Sequence, residues 1–120
     1  MLSLDTHVLI RSVEGSLNEH ERTVLTRDAD WGISAIVLWE IEKLHELGRL
    51  RYGLDHPPLA KVIDRLEIWP LSREVCLKLR ALDFRSDPAD EIIAATSLAH
   101  GIPLMTRDKR IRGSRKVRCL

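Results

Sequence analysis

Short apolar segments alternate with longer helical segments along the whole chain, and this alternation limits the possible folds more than any other feature. The apolar segments indicate strands at residues 2–4, 31–34, 67–71 and 102–106, with a candidate fifth strand at 116–119. Periodicity and capping residues predict helices over 7–11, 19–27, 35–47, 59–66, 72–82 and 87–100. Because strands that alternate with helices form βαβ units, we expect an α/β fold with a mostly parallel sheet and helices on both faces.

Length and composition fit a single domain over residues 1–120. Hydrophobic residues make up 44% of the chain and charged residues 31%, which is typical of a globular protein. Charges interrupt every apolar run and the N-terminus lacks a signal-peptide pattern, so we expect no membrane span and no secretion signal. Cys76 and Cys119 lie far apart, which excludes a disulfide framework and predicts a cytoplasmic protein.

Positive charge is concentrated at the C-terminal end. Residues 1–106 carry 12 basic and 17 acidic side chains, whereas residues 107–120 carry seven basic side chains and one acidic side chain. A basic end of this kind either steers a polyanion towards one face or guards the edge of a strand. In the first case we expect contacts with the polyanion from Arg112, Arg115 and Lys116.

Four carboxylates are spaced to meet at the carboxyl end of the predicted sheet. Asp5 directly follows the first strand, and Asp108 follows the fourth strand by two residues. Glu40 is the only charged residue on the apolar arc of the helix 35–47, which begins right after the second strand. Asp90 lies in the first turn of the helix 87–100. Sites in open parallel sheets form at this end of the strands, so we expect the four acids to lie together.

Each acid also has a purely structural explanation. Asp5 is a suitable helix N-cap, Asp108 suits a turn, and Glu40 could belong to a buried ion pair. At the start of the helix 87–100, capping by Asp87 before Pro88 explains Asp87 fully.

Carboxylates that share one place repel one another unless a cation lies between them. Their oxygens are typical ligands of Mg²⁺ or Mn²⁺, and such an ion activates water and stabilises the charge that develops in phosphodiester cleavage. The sequence has no HExxH, GxxxxGK[ST] or GxSxG motif. These patterns favour metal-dependent hydrolysis over a zinc protease, a phosphate-loop enzyme or a serine hydrolase.

Four segments, in this order, resemble the PIN-domain ribonucleases, in particular the VapC-like toxins of toxin–antitoxin pairs. The segments are LDTHVL at 4–9, SAIVLWEI at 34–41, DPADEIIAAT at 87–96 and LMTRDKRI at 104–111. The resemblance implies a three-layer αβα sandwich around the parallel sheet. It also implies a Mg²⁺- or Mn²⁺-dependent endoribonuclease that a cognate antitoxin holds inactive and that forms a homodimer.

The resemblance also assigns roles to individual residues. It implies that the catalytic residues are Asp5, Glu40, Asp90 and Asp108. Of these, Asp5, Asp90 and Asp108 would hold the metal, and the supporting residues would be Thr6, Thr106 and Asp87. Glu91 departs from the family pattern, in which Arg often follows the third acid.

Two other functions fit parts of the sequence. A HAD-like phosphatase needs a second Asp two residues after the first, where this chain has His7. A non-catalytic PIN-like module would bind RNA or a protein partner, but the presence of all four acids favours an enzyme. Trp39 lies on the polar side of the helix 35–47, so we expect it to be partly exposed in the monomer and covered by a second subunit or by the antitoxin.

Overall fold

In the computed structural model, which describes residues 1–120, four short strands form one parallel sheet. The strands are β1 (Leu2–Leu4), β2 (Trp31–Ser34), β3 (Glu67–Trp69) and β4 (Leu104–Met105). Their order across the sheet is β3-β2-β1-β4, and every neighbouring pair is parallel. All four strands therefore end at the same edge, which confirms the predicted fold class and sets the place for a site.

Helices connect the strands and flank the sheet. Their bounds are α1 (Thr6–Glu14), α2 (Glu19–Arg27), α3 (Ala35–Glu46), α4 (Pro57–Ile63), α5 (Arg73–Lys78), α6 (Pro88–His100) and α7 (Lys109–Arg112). Every crossover between the strands contains a helix, as parallel pairing requires. Helices α3, α5 and α6 pack as one group, and α1 packs on α4. No helix is long and apolar enough to cross a membrane.

Polar residues determine where several helices begin. Asn18 and Glu21 form a capping box at the start of α2, since each side chain accepts a hydrogen bond from the other residue's backbone N–H. Ser72 accepts a bond from the backbone N–H of Val75 at the start of α5. At the other end of α6, Gly101 adopts a left-handed conformation with φ 64°, which ends the helix.

The core lies on both sides of the central strand β1. Leu2 and Leu4 are fully buried and belong to the same hydrophobic cluster as Ile33, Ile93 and Leu104. Because β1 has strands on both sides and helices against its faces, its short apolar sequence is completely removed from water. The residue after this strand, Asp5, is consequently held on a rigid element.

Trp69 at the end of β3 packs closely over β2. Its indole ring is buried and stacks with His100 of α6, with ring centroids 5.3 Å apart. A Cβ atom added to Gly32 would lie 2.3 Å from Cη2 of this indole. Position 32 therefore needs glycine because the tryptophan side chain occupies the space above it.

Several sequence predictions were wrong in detail. The candidate fifth strand is a single bridge between Leu104 and Cys119, with one backbone bond on each side, so it forms no ladder. The helix predicted to reach residue 82 ends at Lys78 and continues as a 3₁₀ turn, Leu79–Ala81. Leu47, the last residue of the helix predicted over 35–47, lies beyond the end of α3 at Glu46 and is 55% exposed.

Candidate active site

Asp5 lies at the carboxyl end of β1 and is buried, with 5% of its surface exposed. Its Oδ1 accepts a 2.7 Å hydrogen bond from the backbone N–H of Thr6, so Asp5 is the N-cap of α1. Its Oδ2 accepts a 2.5 Å bond from the hydroxyl of Thr106, which follows β4. The pairing of β1 with β4 places these two residues side by side. Asp5 therefore caps a helix and also belongs to the acidic site.

Glu40 reaches the same edge from α3. One of its carboxylate oxygens accepts a hydrogen bond from the hydroxyl of Thr6, which is fully buried. The glutamate side chain itself is half-buried. The charged residue on the apolar arc of α3 is thus held by the residue next to Asp5, and not by a basic partner in a buried ion pair.

Asp90 is held at the start of α6 by the turn that precedes the helix. The Ser86 hydroxyl donates to Oδ2 of Asp90 at 3.0 Å, and the Ser86 backbone N–H donates to Oε2 of Glu91 at 2.9 Å. Asp87 occupies the N-cap position, but its side chain makes no capping hydrogen bond. The predicted N-cap position of Asp87 is confirmed, but the prediction that capping explains its side chain fully was wrong, because that side chain accepts no hydrogen bond from the helix.

Asp108 begins a helix that the sequence analysis missed. Its Oδ1 accepts hydrogen bonds from the backbone N–H groups of Arg110 and Ile111, at 2.9 and 3.1 Å, and so caps α7. Its own N–H donates to the Thr106 hydroxyl at 3.0 Å. Because that hydroxyl donates to Asp5, Thr106 connects two of the four acids.

Thr6 bonds to both Asp5 and Glu40, Thr106 bonds to both Asp5 and Asp108, and the repulsion between these charges extends to Asp90. Burial is the main cause that raises the pKa values of Asp5, Glu40 and Asp90. Repulsion adds to this effect, because Asp5 raises the pKa of Glu40 and of Asp90, and Asp108 raises the pKa of Asp5 and of Asp90. The neighbouring charge of Asp87 also raises the pKa of Asp90. The structure thus brings together the acids that the sequence assigned to one edge of the sheet.

The carboxylates are near one another without converging on a point. No group of three or more His, Cys, Asp or Glu side chains is arranged to hold a metal ion. Hydroxyl groups of Thr6, Thr106 and Ser86 occupy carboxylate oxygens of three acids instead. The assignment of Asp5, Asp90 and Asp108 as metal ligands therefore stays a prediction.

The three basic residues expected to contact RNA do not lie together beside the acids. The Arg112 guanidinium donates to the backbone carbonyls of Thr106 and Leu120, at 2.9 and 3.0 Å, so it ties the C-terminal segment to the site loop. Lys116 lines a small groove with Gly101 at the amino end of β4, opposite the acidic edge. Arg115 is exposed. RNA binding by these residues stays a prediction, but their expected common placement was wrong.

Sequence reasoning missed one ion pair next to the site. Glu21 is only 2% exposed, and its two carboxylate oxygens accept bonds from Nε and Nη2 of Arg107 at 2.7 and 2.5 Å. Hydrogen bonds from the guanidinium lower the pKa of Glu21 to about 2. The spacing of Asn18 and Glu21 signals a capping box, but nothing local identifies a partner 86 residues further along the chain.

We expect Glu21→Gln to reduce the free energy of unfolding by about 2 kcal/mol at pH 7, because the charge-assisted bonds to Arg107 are lost. The folded-state pKa of Glu21 lies below its ordinary value of 4.5. Its contribution is therefore complete above that value and is lost as the pH falls towards 2. Urea unfolding of both proteins between pH 7 and pH 2 should give two stabilities that converge in acid. A constant difference over this range would contradict the assignment.

The fold and the acidic edge define the class of protein. A family model described as the PIN domain matches residues 2–116, and the chain belongs to this family.

Solved structures with the same fold come from toxin–antitoxin studies. VapBC2 from Rickettsia felis, bound to a promoter DNA fragment, aligns with a TM-score of 0.78 and 18% identity, covering 99% of this chain and 96% of that one. A toxin–antitoxin complex from Klebsiella pneumoniae gives 0.72 and 21%, covering 98% and 95%. DNA-bound VapBC from Salmonella typhimurium gives 0.73 and 22%, covering 99% and 96%. These likenesses establish the fold. No curated protein matches the chain.

Proposed function

We propose that this chain is a VapC-type toxin, a metal-dependent endoribonuclease that hydrolyses RNA phosphodiesters. The observation that carries the proposal is the meeting of four carboxylates, from β1, α3, α6 and the loop after β4, at one edge of a PIN-domain sheet. A structural role alone does not require four acids whose charges oppose one another. A catalytic site that binds a cation would explain why they lie together.

The chemistry of the donor groups fits Mg²⁺ or Mn²⁺. Carboxylate and hydroxyl oxygens are the ligands that these ions prefer. A cation would also relieve the repulsion and the burial that raise the pKa values of Asp5 and Asp90. Asp5, Asp90 and Asp108 would hold the ion, and the half-buried Asp90 and Asp108 would have to turn towards Asp5. The bound ion supplies Lewis acidity and a water molecule of lowered pKa.

The protein's own groups orient this chemistry. Thr106 donates to Oδ2 of Asp5 and thereby fixes the rotation of the most buried of the four acids. Thr6 donates to Oε1 of Glu40, so Oε2 is left to accept a proton from the attacking water. Burial raises the pKa of Glu40, which makes it a better proton acceptor. Asp87 supports the site as a nearby negative charge at the start of α6.

Two surface features support the proposal that the chain binds protein partners. Trp39 on α3 is 56% exposed, as its polar neighbours predicted, and we propose that a second copy of the chain or the antitoxin covers it. A groove of about 670 Å³ between α1, α2 and α4 has an apolar floor that includes Leu25 and Trp31, with Arg22 and Arg65 at its rim. Such a surface fits a protein segment with apolar and acidic side chains, which supports a cognate antitoxin. A cytoplasmic location fits the two free cysteines.

The test is RNA cleavage by the purified chain, free of other proteins, at graded concentrations of Mg²⁺ or Mn²⁺. We expect cleavage that EDTA abolishes and that added Mn²⁺ restores, with saturable Mn²⁺ binding measured by calorimetry. RNA binding without cleavage at any concentration of these ions, and without Mn²⁺ binding, would favour the alternative of a non-catalytic PIN-like binding module.

A further inference from the structure

The Glu21–Arg107 pair connects the start of α2 to the loop that carries two site residues. Glu21 is almost completely buried, and both of its oxygens are used by the guanidinium of Arg107. Two parallel bonds between planar groups fix the orientation of Arg107 as well as its distance. The only other ion pair between side chains, Lys43–Glu46, joins exposed residues one turn apart on α3. The Glu21–Arg107 pair thus differs from the other pair in two ways: its carboxylate is buried, and its residues are 86 positions apart.

The Glu21 side chain is itself held in place by hydrogen bonding with Asn18. Its Oε1 also accepts the backbone N–H of Asn18, and its own N–H donates to the Asn18 side chain. The capping box therefore determines the rotation of the Glu21 side chain before Arg107 binds it. Because the Glu21 side chain has little freedom to rotate, it holds the Arg107 guanidinium in a defined position.

Arg107 lies between Thr106 and Asp108, which both belong to the acidic site. Its neighbour Thr106 donates to Asp5, and its other neighbour Asp108 donates its N–H back to the Thr106 hydroxyl. A second bond, from Arg112 to the Thr106 carbonyl, holds the same loop from the C-terminal side. Residues 106–108 are therefore held by Arg112 from the C-terminal side, by Asp5 at the end of β1, and by Glu21 of α2 through Arg107.

We propose that Glu21 and Arg107 are positioning residues that hold the loop 106–108 in place, so that Thr106 orients Asp5 and Asp108 faces the other acids. The role of this loop in metal binding rests on the proposed function, whereas its being held by Glu21 does not. Neither residue acts on substrate directly. The competing explanation is that the pair only adds stability to the whole fold.

The experiment compares Glu21→Gln and Arg107→Lys with the unaltered chain by amide hydrogen exchange in the absence of metal. We expect the amides of Asp108, Arg110 and Ile111 to exchange about tenfold faster or more in Glu21→Gln, because their acceptors move with the loop. The sheet amide of Asp5, which donates to Met105, should change only as far as the lower global free energy of unfolding of the variant, measured with urea, accounts for. Arg107→Lys keeps the charge but loses the paired geometry, so it should act in the same direction.

Two further measurements separate the explanations. Glu46→Gln, which breaks the exposed pair with Lys43, is the matched control and should leave these amides unchanged. In the protein with metal, the Mn²⁺ dissociation constant should rise about tenfold in Glu21→Gln, as is typical when a group behind a ligand is lost. This increase should disappear in a Thr106→Val background, because the hydroxyl that transmits the position is then absent.

The outcomes differ for the two proposals. Exchange of the loop amides that is unchanged, or that follows the global free energy of unfolding as the Asp5 amide does, would overturn the positioning role. An unchanged dissociation constant in a chain that binds Mn²⁺ would overturn it too. Faster exchange confined to the loop in a chain that binds no Mn²⁺ would support positioning and refute the proposed function. Where Glu21→Gln does not fold, Arg107→Lys decides the question by the same readings.

Discussion

Replacing Asp5 with Asn is expected to reduce RNA cleavage by about 100-fold or more while changing the melting temperature by less than about 5 °C. Asparagine keeps an oxygen that accepts the Thr6 N–H, so the cap of α1 survives. The change also removes a charge whose burial raises the pKa of Asp5 in the folded state. Cleavage rates and thermal unfolding should be measured on the same preparation.

Asp55→Asn is the matched control, since Asp55 is exposed and lies outside the site. It should leave both activity and melting temperature unchanged. A large fall in the melting temperature of Asp5→Asn, together with lost cleavage, would mean that capping and not catalysis dominates the role of Asp5. Retained cleavage would remove Asp5 from the catalytic residues.

Gly32→Ala is expected to reduce the free energy of unfolding by about 3 kcal/mol, because the new methyl group has no room beneath the Trp69 indole. The indole cannot move aside easily, since it is buried and stacked on His100. Urea unfolding gives the measurement. Gly113→Ala is the control, with φ −78° and its nearest neighbour 3.3 Å away, and should cost less than about 1 kcal/mol.

A second variant tests the cause of this loss. Trp69→Leu in the Gly32→Ala background should recover part of the stability, because a smaller side chain makes room for the methyl group. Simple addition of the two separate losses would show that the clash with Trp69 is not the reason.

The sequence predicted the fold well because its signals are local. Each of the four strands is a short apolar segment bounded by polar or turn residues, and Asp5 and Asp108 follow strands whose ends are visible in the sequence. The predictions failed where the local structure depends on a contact with a residue far away in the sequence. The C-terminal segment was assigned as a strand from its composition, but only Leu104 offers it a partner, so a single bridge forms.

The sequence predicted the four acids of the site but not the residues that form hydrogen bonds with them. Strand ends and helix periodicity located the four carboxylates, whereas the hydroxyl of Thr6 on Glu40 depends on how α1 and α3 pack. Capping rules assigned Asp87 to the N-cap of α6, which is its position, but its side chain makes no capping bond, and the bond from the Ser86 N–H to Glu91 was not foreseen. Glu21 and Arg107 stayed hidden since their contact depends on the whole tertiary structure.

The hydrogen bond between Thr106 and Asp5 joins residues 101 positions apart, so it can form only after both residues have been synthesised. A ribosome makes the central strand and its aspartate 101 residues before it makes Thr106. Contacts of such long range form only after the intervening chain is available. Every unfinished copy that stops before residue 106 therefore lacks a complete acidic site. A cell that makes this protein therefore meets its assembled acidic site only after residue 108 has been made.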